Sequence, residues 1–143
     1  MISPAAATVL ILQRTDATRG DHVGWPASEL AAVSNWSGML RAFLELLTAP
    51  VFPPAAHVAG EIAFAAAMAG AADFPAACQA YAVAMAGLPP PGIVATPPPA
   101  APALPALPPT SDPVPPATSV GIVIDAWARS GTWTAGGPPA PWA

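Results

Sequence analysis

The side chains best able to do chemistry in this 143-residue chain are two histidines, one cysteine and eight carboxylates. Metal binding and acid–base catalysis need such groups at close, regular spacing. His22 and His57 stand alone, outside any HxxxH, HExxH or Cys/His arrangement, so no metal site is expected. His22 falls in a polar loop, and His57, near the start of a helix, reads as a surface or interface polar residue. Cys78 lies between Phe74 and Tyr81 on an apolar stripe and reads as a small core residue, not a nucleophile. Glu29, Glu45, Glu61 and Asp73 are scattered and form no acid–base pair. No GxGxxG or GxxxxGKS phosphate loop is present, and Gly136-Gly137 before prolines suits a turn. The sequon Asn35-Trp36-Ser37 falls inside the strongest helix and is read as chance. The expectation is a protein that is no enzyme, with no cofactor, no metal and no small-molecule substrate.

Two of the carboxylates have structural roles to fill. A carboxylate among alanines needs a partner if it is buried. Asp73 is placed to cap a helix, and Glu61 either points to solvent or pairs with Arg41.

Composition narrows the partners. Charged residues make up 8% of the chain, against roughly 25% in ordinary soluble proteins. There is no lysine, and the four cations are Arg14, Arg19, Arg41 and Arg129. About a quarter of the residues are alanine, well above typical usage. So few charges leave little to oppose association, so much of the surface is expected to be covered by other subunits or, as the weaker alternative, by lipid. A net charge of −4 argues against nucleic acid as a partner. One cysteine allows no internal disulfide. The apolar run near the N-terminus follows no basic residue, so it reads as a mature terminus and not a signal peptide. The apolar stretch 62–88 is interrupted by Asp73-Phe74-Pro75, and each half is too short to span a bilayer.

The elements follow from spacing. Ser3-Pro4 opens a short apolar helix over 4–14, for which a buried strand is the rival reading. The best helix covers 28–48. Leu30, Val33, Ser37, Leu40, Leu44 and Leu47 form one stripe, with Trp36, Met39, Phe43 and Leu46 beside it. Arg41 and Glu45 can pair across one turn. A second helix, 54–69, is organised around Val58, Ile62, Phe64 and Met68, with Gly70 as a left-handed stop. A third, capped by Asp73, carries Phe74, Cys78, Tyr81, Met85 and Leu88, and Gly87 ends it. Alanine faces (Ala59, Ala63, Ala67 and Ala76, Ala80, Ala84) predict a tight antiparallel hairpin between these two. A last helix starts at Thr118 or Ser119, with Val120, Val123, Ile124 and Trp127 on one face, an Asp125–Arg129 pair beside it and Gly131 closing it. Trp133 and Trp142, in a tail without periodicity, read as anchors in pockets.

Between the helices lies the stretch 88–118, too rich in proline for helix or central strand, and its low-energy state is polyproline II. At three residues per turn its edges differ: Pro99, Pro102, Pro105 and Pro108 on one, Ala101, Leu104 and Leu107 on another. A sided rod docking its leucine edge on a neighbour is one reading, and a compositional spacer is the other. The PxxP repeats also fit a ligand for SH3- or WW-like modules, although no flanking Arg or Lys lies between Arg41 and Arg129. The fold class expected is mainly α: a small bundle of about four to five helices with a long extended polyproline II segment and an extended C-terminal tail. Its parts are a helical body at 1–87, an arm at 88–118, a helix at 119–131 and an anchoring tail at 132–143.

Alanine-rich helices, a proline-rich middle, then VGIVIDAWARSGTW and a Gly/Pro tail ending in PWA resemble small structural proteins of tailed bacteriophages. Within that pattern the nearest feature is Ile124-Asp125-Ala126-Trp127 followed by Ser130-Gly131-Thr132. The resemblance implies a non-enzymatic virion, tail or baseplate subunit, repeated by symmetry, assembled in the host cytoplasm and not secreted. Its partners would be other copies of itself or neighbouring virion proteins. No site residue is carried over from the resemblance; the contacts expected from the rod, the last helix and the tail themselves are Leu104, Leu107, Trp127, Trp133 and Trp142. A membrane-associated hydrophobic protein is the remaining alternative.

Overall fold

The computed structural model describes residues 30–48, 51–70, 72–103 and 114–142. The protein is mainly helical. Helix α1 (Leu30–Leu47), α2 (Pro54–Ala69) and α3 (Phe74–Ala86) are followed by a short strand β1 (Val94–Thr96), helix α4 (Val114–Arg129) and strands β2 (Thr132–Thr134) and β3 (Ala140–Pro141). The proposed helix at 4–14 and the leucines Leu104 and Leu107 lie outside the described residues.

Helix α1 buries Met39, Leu40, Phe43, Leu44 and Leu47, so the two predicted stripes merge into one core-facing side. Leu46, assigned to the second stripe, is 57% exposed. Thr48 ends the helix by donating its hydroxyl to the Leu44 carbonyl at 2.8 Å. Pro54 then starts α2, where its missing amide hydrogen costs no helix bond.

The α2–α3 hairpin forms as expected, but through different faces. Helix α2 buries Ala56, His57, Gly60, Phe64 and Met68, whereas Val58 and Ile62 point outward. The reason is closeness. A β-carbon on Gly60 would sit 2.6 Å from the Tyr81 ring, so α3 packs where α2 has no side chain. Phe64 meets Phe74 edge-on at 5.8 Å, which with the Gly60–Tyr81 contact fixes the pair as antiparallel. Gly70 ends α2 at φ −81°, not in the left-handed region, because its amide donates back to the Ala66 carbonyl at 3.0 Å. The Asp73 carboxylate caps α3 by accepting from the Ala76 amide at 2.8 Å. Phe74, Cys78, Tyr81 and Met85 are buried, and Leu88, two residues past the helix, is 45% exposed.

The stretch 88–118 is not one continuous rod. Gly92, at φ 77°, turns the chain into β1, which pairs antiparallel with β2 in the register Val94↔Thr134, Ala95↔Trp133 and Thr96↔Thr132. Helix α4 begins at Val114, earlier than Thr118, since Pro115 and Pro116 fall in its first turn, where proline is tolerated. Ile124, Trp127 and Ala128 face the core from α4, while Ile122 is 56% exposed.

The tail is also paired. After the turn at Gly136 (φ 91°), β3 returns beside β2, giving a sheet of order β1-β2-β3. Trp142 is fully buried, edge-on to Phe52 at 5.3 Å, with its indole N–H donated to the Thr132 carbonyl at 2.9 Å. Gly131 is where it is because a β-carbon there would lie 2.6 Å from that indole. Gly131→Ala is therefore expected to destabilise the protein by about 2 kcal/mol through overpacking, read as a lower urea midpoint. Gly38→Ala, with nothing within 4 Å of the added carbon, is the control and should stabilise slightly.

Candidate functional site

The most elaborate polar arrangement among the described residues gathers around the indole of Trp127. From β1 the chain runs across α3 and α4 as an extended strap over residues 97–103, in which Pro98 and Pro102 are buried. A proline segment has few amide hydrogens to offer, so its carbonyls must be met by outside donors. Gln79 of α3 donates its amide to the Pro98 carbonyl at 2.6 Å. The Trp127 indole N–H, from α4, is shared between the Ala100 carbonyl at 2.9 Å and the Gln79 amide oxygen at 3.2 Å. Two side chains from two helices thus grip main-chain oxygens two residues apart on the strap.

An indole N–H aimed at a carbonyl of a proline-rich segment, with an aromatic face beside it, is how peptide-binding grooves recognise polyproline II. This chain carries both halves of such a contact. The strap departs from the three-edged rod expected of 99–108. The chain bends at Pro99–Ala100, so the buried prolines are 98 and 102 and Pro99 is exposed. Beside the strap runs an open groove of about 440 Å³, walled by residues 99–103 on one side and by Ile122, Ala126 and Trp127 on the other.

A second polar group sits inside the helices. His57 is 1% exposed, a correction to its reading as a surface residue. It is buried because it shares the core-facing side of α2 with Gly60 and Phe64. Its Nδ1 lies 3.0 Å from the Tyr81 hydroxyl, its Nε2 is buried with no hydrogen-bond partner, and Phe52 stands edge-on to its ring. Burial lowers the His57 pKa below its ordinary 6.5, a fall reinforced by Arg41 and opposed by Glu45 and Glu61. Burial likewise raises the Tyr81 hydroxyl, with Glu61 adding to it. The pair is closed off from solvent and serves packing.

Arg41 is bonded to Glu45 at 2.8 Å and to Glu61 at 3.0 Å, the latter being the partnership anticipated for Glu61. Both carboxylates raise the Arg41 pKa, Glu45 more strongly. Arg129 and Asp125 pair at 2.8 Å, and that contact raises the Arg129 pKa. Cys78 is fully buried and burial pushes its thiol up, away from the reactive thiolate. Among the described residues no three His, Cys, Asp or Glu side chains converge on a metal position, and no helix is long and apolar enough to cross a membrane.

Of the five residues assigned to a partner interface, Trp142 and Trp127 are buried within their own chain, at 0% and 6% exposure. They anchor the tail and the strap in cis, because the sheet and α4 deliver both rings to the core of the same chain. Trp133 is half-buried against that core, its indole nitrogen enclosed without a partner. Leu104 and Leu107 fall outside the described residues. Gln79 was not singled out from sequence, although it is the only carboxamide in an otherwise apolar α3, a signal that something polar lies opposite it.

Removing the clamp should cost stability in a coupled way. Trp127→Phe and Gln79→Ala are each expected to lose about 1–2 kcal/mol. The double variant should lose less than their sum by about 1 kcal/mol, because both reach the same strap, and urea unfolding of the four proteins measures it. His57 sets a pH dependence. A folded-state pKa below the unfolded value means its contribution is complete above the ordinary 6.5 and is lost as pH falls through the folded value. Thermal stability is therefore expected to drop as pH falls below the ordinary 6.5, and to do so less steeply in His57→Phe.

Compared with known proteins, the chain matches no family model, no curated protein and no solved structure, and what it does has to be read from its own side chains.

Proposed function

We propose that this chain is a non-enzymatic structural subunit of a tailed-bacteriophage particle, packed against other copies of itself and neighbouring virion proteins. The observation that carries the reading is the surface. Leu46, Val51, Val58, Ile62, Val83, Leu88, Val94 and Ile122 are each at least 45% exposed, on a chain with 8% charged residues. Scattered apolar side chains are ordinary, but here few charges lie between them, and such surfaces belong to proteins that are covered in their working state. Closed symmetric assembly is the common way a small chain covers itself.

The bacteriophage part of the reading rests on the resemblance carried by VGIVIDAWARSGTW and the proline-rich middle. Leu104 and Leu107 are the proposed contacts of the arm with a neighbour, while the clamp on 97–103 supports a fixed exit point for it. A truncation before α4 is a poor test, since Trp142 fills the core and its loss would unfold the body. Antibodies raised against the purified chain are instead expected to label particles released on lysis of the host that encodes it. Signal confined to membranes, or to soluble protein that never co-sediments with particles, would overturn the reading.

A further inference from the structure

We infer that the outward face of α2 is an isologous, antiparallel interface between two copies of this chain. The inference deepens the subunit reading above and rests on it. Ala55, Val58, Ile62, Ala65 and Ala69 are all exposed and recur at intervals of 3, 4, 3 and 4, the spacing of a helix–helix seam. The strip is ~21 Å long and has no polar member.

The sizes along the strip say what fits it. Two copies related by a two-fold axis passing between positions 63 and 64 bring Ile62 against Ala65 of the partner subunit. The same operation brings Val58 against Ala69 of the partner subunit. The layers built on Ile62 and Val58 each set a branched side chain opposite an alanine, the large-to-small alternation that lets helices approach closely, while Ala55 falls opposite the partner's chain beyond its helix end. A parallel pairing would stack Ile62 on itself and alanine on alanine, leaving bulk in one layer and a gap in the next.

Charge agrees with this register. Glu61, the only ionised group of α2, is bonded to Arg41 at 3.0 Å, and in this register Ala66 of the partner subunit stands opposite it. No carboxylate meets a carboxylate, and none is stripped of its partner. A lipid surface fits less well, because the face has no flanking Lys or Arg of the kind that holds amphipathic helices to bilayers. Two such strips, with three alanines among their five residues, fall below the ~1,000 Å² usual for a specific contact. The pair is therefore a weak one, suited to being repeated within a larger assembly.

Sedimentation of the full chain over rising concentration is expected to give a reversible monomer–dimer equilibrium. Ile62→Arg should weaken it by at least about tenfold, because two cations would be buried at the seam without partners. Ile62 is 66% exposed, so the variant should keep the wild-type melting curve in dilute solution. Register is read by cysteines, and Cys78, the only natural one, is buried and will not interfere. An equimolar mixture of Val58→Cys and Ala69→Cys chains should form a disulfide-linked dimer on mild oxidation, and neither variant alone should do so. Ready self-linking of Val58→Cys overturns the antiparallel arrangement. Dimers untouched by Ile62→Arg overturn this face while leaving the subunit reading in place. A chain that stays monomeric at every concentration overturns the pairing, and particle labelling then decides the subunit reading separately.

Discussion

The indole of Trp142 occupies the space that a side chain on Gly131 would fill, and much of the C-terminal half is arranged by that one contact. Burying such a ring is worth on the order of 2–3 kcal/mol in apolar area, enough to draw a tail without periodicity back onto the helices. Once Trp142 is seated, β3 must lie beside β2, and β2 offers its other edge to β1. Strand β1 in turn fixes where the strap begins, and Trp127 and Gln79 fix where it runs. The same device closes the N-terminal half, where Gly60 yields its place to Tyr81. A chain with few large apolar residues per helix gains cohesion by bringing backbones close to a small number of rings.

That economy explains which features were legible in the sequence. Helices α2 and α3 were readable to within a residue or so, because prolines, Asp73 and glycines mark their ends. The pairing of Arg41 with Glu61 was also open to inference, since so few cations exist to choose from. The buried face of α2 was misjudged for a physical reason. Spacing rules assign the core to branched residues, Val58 and Ile62, but a ring packed on a glycine needs the opposite, a side without bulk. Had Gly60 and Ala56 been taken as the contact face, His57 would have been placed in the core with them. Strand β1 was hidden because Val94–Thr96 is only three residues long and lies within a proline-rich stretch. Its partner β2 is more than thirty residues away, a separation no local pattern records.

The candidate site was half visible. Trp127, which the sequence offers as a face residue of the last helix and a contact for a partner, donates its indole N–H to the strap of its own chain. Proline-rich segments can dock in cis or in trans with the same chemistry, since what is recognised is a run of carbonyls in extended geometry. Composition cannot distinguish the two. Gln79 decides it, by meeting the strap from α3 while its oxygen takes a share of the indole proton.

The distribution of charge connects this interior economy to the surface. Every ionised side chain among the described residues is engaged within the chain: Arg41 with Glu45 and Glu61, Arg129 with Asp125, and Asp73 with the Ala76 amide. The side of α2 turned away from Tyr81 is made of exposed alanines with Val58 and Ile62 set among them. Packing the hairpin on its small-residue side and leaving Val58 and Ile62 outside are therefore one choice.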